Sequence, residues 1–224
     1  MAQGSCLHRA LIRTVRGQAR RASVLPPVSP DAVFVNIPYD KGFSRLYLAY
    51  IVGLTHLGLD PRATLGIPGG ERRLDRILAL IQSCRYSIHD LSRVQLDRTP
   101  PCTPRFNMPF ELGLAVTWSK LYPRQHTWFV FESRTRRVQK SLSDLDGSDP
   151  NIHDGRVEGV MREICNAFVR SRSVRPNVPE MMRTYRGLSR RLNVITAAAG
   201  ARSVFEARIF DDLCFAAKAA ISHA

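Results

Sequence analysis

No stretch of the 224-residue sequence approaches the roughly 18 uninterrupted apolar residues that a membrane-spanning helix requires, so a transmembrane segment is excluded. Cysteine is scarce. The five, at positions 6, 84, 102, 165 and 214, are odd in number, widely spaced and without a C-x-x-C pair. That pattern argues against a disulfide framework and leads us to expect reduced thiols and a cytoplasmic location. His89 lies between Cys84 and Cys102, but zinc-ligand spacings are absent, so no metal site is expected. The glycine patterns of a Walker or dinucleotide-binding loop are missing too, as are internal repeats and heptads.

Acidic residues are also few, 19 against 33 Lys and Arg, for a net charge of +14. Residues 1–30 hold five Arg and no acid, residues 31–170 hold 19 basic against 15 acidic residues, and residues 171–224 hold nine against four. Most of the surplus is thus in the flanks. Such charge attracts polyanions without reading sequence, and specific nucleic-acid binding is not expected.

Three regions follow from composition. Residues 1–30 are rich in Arg, Ser and Ala and end in a proline cluster, as in a disordered or leader arm; no apolar segment of a secretory signal follows the early charges. Residues 31–170 carry an α/β pattern. Ala32 to Ile37 form a short apolar run, as in a strand buried on both faces. In residues 43–58, Phe43, Leu46, Tyr47, Tyr50 and Leu54 fall at helical spacing, with Gly58 as the stop. A second strand is expected within PRATLGIPGG, then a helix with Leu74, Ile77, Leu78 and Ile81 on one stripe. RYSIHDLS supplies a third strand ending at His89 or Asp90. After a long loop, Asn107 is placed as the cap of the helix NMPFELGLAVTWSKLY, and HTWFVFES supplies a fourth strand ending at Phe131. Helical stripes at 156–170, 179–192 and 203–221 complete the chain, those beyond residue 171 forming a C-terminal helical appendage. Alternating strands and helices imply an open, mostly parallel, flavodoxin-like sheet with helices on both faces.

In such a sheet, ligands bind beyond the carboxyl ends of the strands. The residues there are Tyr39, Asp40 and Lys41 after the first strand, and Asp90 and Ser92 after the third. Asn107 and Glu111 join them on the following helix, whose N-terminal dipole favours an ionised Glu111. Two carboxylates at one cleft suit chemistry at an anomeric carbon, one stabilising an oxocarbenium-like centre and the other orienting hydroxyls or moving a proton. The plainer alternative is that Asp90 caps a turn and Glu111 sits on a solvated helix face. As a cleft-facing carboxylate, Asp90 should be replaceable by Asn without loss of stability. His89, on a buried strand, reads as a core residue, and His153 as a turn residue. The glycines of IPGGER at 67–72 are only a weak phosphate-loop signal, and Trp118, Trp128 and Phe129 read as core.

The segments SCRYSIHDLSR and RFNMPFELGLA resemble those of nucleoside 2-deoxyribosyltransferases and of Toll/interleukin-1 receptor (TIR)-like bacterial domains, over about residues 31–155. The resemblance implies that Glu111, followed by the small Gly113, is the catalytic carboxylate. It further implies that Asp90 orients substrate and that Tyr39 and Asp40 form a ligand-facing loop. Met108 and Phe110 stand where the transferases carry a Gly-Thr pair, which places transfer second. The implied function is an N-glycosidase acting on NAD, as substrate and not cofactor, or on a related nucleotide. The alternatives are a nucleoside or nucleotide deoxyribosyltransferase or hydrolase, and a non-catalytic nucleotide-sensing module. Self-association is implied as well.

Overall fold

A computed structural model describes residues 26–65, 72–94, 100–145, 148–171 and 177–222. The apolar run predicted for the first strand is β1, Ser29–Asn36. It starts inside the segment expected to be an arm, because Ser29 already pairs with Cys84 of β3, Cys84–Asp90. The remaining strands are β2, Asp60–Arg62, β4, Thr127–Glu132, and β5, Asn151–Ile152. Their order is β2-β1-β3-β4-β5 with every pairing parallel, the flavodoxin-like arrangement. The two-residue β5 went unrecognised in the sequence because it is too short to show alternation.

Among the described residues, seven α-helices surround the sheet. On one face lies α1, Ser44–His56, with α5, Val157–Phe168, packed beside it. On the other lie α2, Arg73–Ser83, and α3, Asn107–Leu121. The short α4, Arg137–Ser141, adds Val138 to a small cluster with Leu91, Met108, Leu112 and Val130. Asn107 does not cap α3 as expected: Phe106 holds the cap position with helical backbone angles, and no side chain caps the helix.

All eleven residues from Leu46 to His56 are buried. A helix apolar all round must be covered on both sides, and α6, Val178–Ala198, and α7, Ala207–Ser222, supply the outer cover. Met181, Tyr185 and Leu188 of α6 and Ile209, Phe210 and Leu213 of α7 belong to the same cluster as α1, α5 and the sheet. The two helices expected as an appendage therefore form a further layer of the core. Each fully buried Leu or Ile among them contributes about 1.5–3 kcal/mol. Among the described residues no helix is long and apolar enough to cross a membrane. The glycines Gly69 and Gly70, read as a weak phosphate loop, and most of the N-terminal arm lie outside the described residues.

Candidate functional site

Successive side chains of a strand point to opposite faces. Ala32, Phe34 and Asn36 of β1 accordingly point toward α2 and α3, whereas Val33, Val35 and Ile37 point toward α1. In β3 the same alternation sends Ser87 and His89 to the side of Asn36, and Tyr86, Ile88 and Asp90 to the α1 side. The two carboxylates singled out in the sequence are thereby parted by the sheet.

Asp90 is fully buried and fully engaged. Its Oδ2 accepts the Tyr50 hydroxyl of α1 at 2.7 Å, and its Oδ1 accepts the Ser92 amide at 2.8 Å. His153, following β5, brings Nε2 to 3.2 Å from Asp90 Oδ2 and 3.1 Å from Ser92 Oγ. Its Nδ1 accepts the Gly155 amide at 3.1 Å, so the imidazole proton is on Nε2. A nucleophilic triad needs serine and carboxylate on opposite ring nitrogens. Here both share Nε2, and the group is a buried brace across the ends of β3 and β5. Glu132, at the end of β4, is likewise buried and saturated, accepting from the Ser133 and Arg134 amides and from Arg137.

Glu111 differs. It is 3% exposed, and its Oε2 is buried without a hydrogen-bond partner among the described residues. Burial raises its pKa, opposed by the Arg73 guanidinium and by the Asn36 amide. Desolvation thus outweighs the helix dipole that the sequence reading relied on. Tyr39 stands nearby, its hydroxyl 3.2 Å from the Val35 carbonyl and its pKa pushed up to about 12 by burial. These groups meet between β1 and β3, where the strand order reverses and open sheets of this kind bind ligands.

A cavity of about 340 Å³ opens there, lined by Tyr39, Arg73, Arg93, Arg105, Asn107 and Met108 among others. Two residues of its wall, Tyr39 and Arg73, interact electrostatically with Glu111. Asp40 sits between two of its arginines, 3.6 Å from Arg93 and 3.4 Å from Arg105. Arg93 is shared with a second cavity of about 230 Å³, which Ser92, Arg45, Arg134 and Arg137 also line. Lys41 starts a short 3-10 turn, exposed, and lines neither. A larger cavity of about 770 Å³ lies between α6 and α7. It is remote from the strand ends, and we assign the site to the sheet edge, where the unpartnered carboxylate is.

The chain matches no protein-family model and no curated protein. The site therefore has to be read from its own chemistry. Of the residues expected there, Tyr39 and Asn107 line the cavity of about 340 Å³, Asp40 pairs with two of its arginines, Glu111 is buried and lines neither cavity, Ser92 opens on the neighbouring one, and Asp90 is turned away. The arginines at 73, 93 and 105 escaped the sequence reading, which assigned positive charge to regions of the chain and not to positions in the fold. Asn36 escaped too, although alternation from Phe34 already assigned its face. Among the described residues no cluster of three or more His, Cys, Asp or Glu could hold a metal ion.

Proposed function

We propose that the protein is a cytoplasmic N-glycosidase that cleaves NAD or a related nucleotide, with Glu111 stabilising or trapping the ribosyl cation. The observation that carries this reading is the buried Oε2 of Glu111. Among the described residues, the other two buried carboxylates, at the ends of β3 and β4, are saturated, and of the three only Glu111 has an oxygen with capacity left for a ligand. An unpaired buried carboxylate oxygen costs stability, and a site that retains one has a use for it. Arg73, Arg93 and Arg105 suit the phosphates of a nucleotide, and Tyr39 and Asn107 offer hydrogen bonds to ribose or base. Nicotinamide departs from a cationic state and needs no proton, which matches a site with one available carboxylate. The TIR-like resemblance of the surrounding segments supports the same reading. Because Glu111 is 3% exposed, a ligand must displace part of the cavity wall to reach it.

The burial of Asp90 favours a second reading, a non-catalytic module that senses a nucleotide. The residue expected to orient substrate hydroxyls is occupied on the far face of the sheet. Turnover separates the two. In an NAD cleavage assay at high protein concentration, which allows for self-association, Glu111→Gln should lower turnover by roughly 100-fold or more. Its melting temperature should hold or rise slightly, since Gln removes a costly buried charge. Equal turnover by both proteins would exclude the role of Glu111. Nucleotide-induced thermal stabilisation with no product from either would establish the sensing module.

A further inference from the structure

Four arginines converge on the smaller cavity at the sheet edge, and they come from four places in the chain. Arg45 is in the first turn of α1, Arg93 follows β3, Arg134 follows β4, and Arg137 opens α4. Topology brings them together, because the carboxyl ends of neighbouring parallel strands open on one edge. Among the described residues no acidic side chain lines the cavity. Two of the four charges are set against carboxylates outside the lining: Arg137 is anchored on the saturated Glu132, with Nε 2.9 Å from Oε2, and Arg93 lies 3.6 Å from Asp40. Arg45 and Arg134 are exposed and make no ion pair among the described residues. Ser92 adds a hydroxyl donor. Its oxygen lies 3.1 Å from His153 Nε2, which carries the imidazole proton, so the oxygen accepts there and the hydroxyl proton is left for the cavity. Ser133, by contrast, turns its hydroxyl to Glu132.

Like charges gathered round a small polar cavity repel one another, and an anion between them offsets that cost. At about 230 Å³ the space is smaller than the roughly 300–1,000 Å³ of sites that enclose a drug-sized ligand, so it takes one anionic group and not a whole nucleotide. A phosphoryl group suits it better than a carboxylate. It carries a charge of about −1.5 to −2 on three terminal oxygens, which guanidinium donors reach from several directions, whereas a carboxylate offers two oxygens in one plane. We infer that this cavity is a phosphoryl-anion site, built by Arg45, Arg93, Arg134 and Ser92 and separate from the cavity beside Glu111. Two sources share that chemistry. One is free phosphate; the other is a phosphate monoester at one end of a nucleotide whose remainder occupies the neighbouring cavity, past the shared Arg93. The inference needs binding and no turnover, so it does not rest on the glycosidase reading.

Isothermal titration calorimetry of the full chain at constant ionic strength tests it, with inorganic phosphate, NAD and NADP as probes; NADP differs from NAD by one phosphate monoester. If the site takes free phosphate, inorganic phosphate should bind by itself, and equally well in Arg73→Gln, which alters only the other cavity. If it takes the end of a nucleotide, NADP should bind about tenfold or more tighter than NAD, and Arg73→Gln should weaken NADP. In either case the double variant Arg45→Gln/Arg134→Gln should weaken phosphate, or erase the advantage of NADP, by roughly tenfold or more. Arg190→Gln/Arg202→Gln removes the same charge from exposed positions in the C-terminal region and should change neither. Equal losses in the two double variants would reduce the effect to overall charge and overturn the inference. So would unchanged binding in Arg45→Gln/Arg134→Gln, or a wild type that binds no phosphate at about 10 mM and NADP no better than NAD. If the double variant does not fold, the single Arg134→Gln decides in the same sense.

Discussion

Asp90 meets three donors, from Tyr50, the Ser92 amide and His153, in a site without solvent. Replacing it by Asn puts an NH2 group against one of them, so we expect Asp90→Asn to cost about 2 kcal/mol, not to be neutral as its sequence position implied. A thermal melt should show a loss of several degrees, and an unchanged melting temperature would return Asp90 to the cleft. The buried histidines give a pH signature. Folding lowers the pKa of His89 from 6.5 to about 3 and that of His126 in the same direction. The unfolded chain therefore binds more protons than the folded one across that window, and stability rises with pH through it. Acidification from pH 6.5 should lower the urea midpoint progressively toward pH 3, and a flat profile would mean that the histidines titrate normally in the fold.

Two glycines mark close approaches of helix α5, one to α1 and one to the residue that follows β5. A Cβ on Gly53 of α1 would lie 2.8 Å from the Ile164 Cδ1, a flexible side-chain end that can yield. One on Gly159 would lie 2.1 Å from the His153 carbonyl oxygen, which is backbone and cannot move without shifting the imidazole that braces Asp90. Gly159→Ala should thus destabilise by at least about 2 kcal/mol, the upper part of the usual overpacking range, and by more than Gly53→Ala. Chemical denaturation of the two variants checks the order. Equal losses would show that the α5 backbone relaxes freely at His153.

The layered architecture makes the C-terminal helices part of the fold. Tyr47 of α1 packs its ring against Phe205 and Phe210, and His56 Nε2 lies 3.0 Å from Thr184 Oγ. Ending the chain at Ser171 uncovers the outer side of a helix with no polar face. The truncated protein should lose cooperative thermal unfolding by circular dichroism, whereas a sharp transition near that of the full chain would show that α6 and α7 are dispensable.

Much of this molecule was legible in one dimension. The short apolar run from Ala32 to Ile37, the stripes of α2 and α5 and the strand–helix succession all depend on neighbours within a turn or two, and they determined a parallel α/β sheet with Glu111 and Tyr39 at its carboxyl edge. Alternation also contained the separation of Asn36 from Asp90's face of the sheet, through strand registers that pair Asn36 with His89. The tertiary structure decided which carboxylate is spent and which has an oxygen to spare. Asp90 is saturated by Tyr50, 40 positions away, and Ser92 is tied to His153, 61 positions away. It likewise decided that Arg73, Arg93 and Arg105 share one cavity and that the C-terminal helices close the core. Hydrogen-bond saturation and charge convergence depend on which distant segments are packed together, and no local periodicity encodes that.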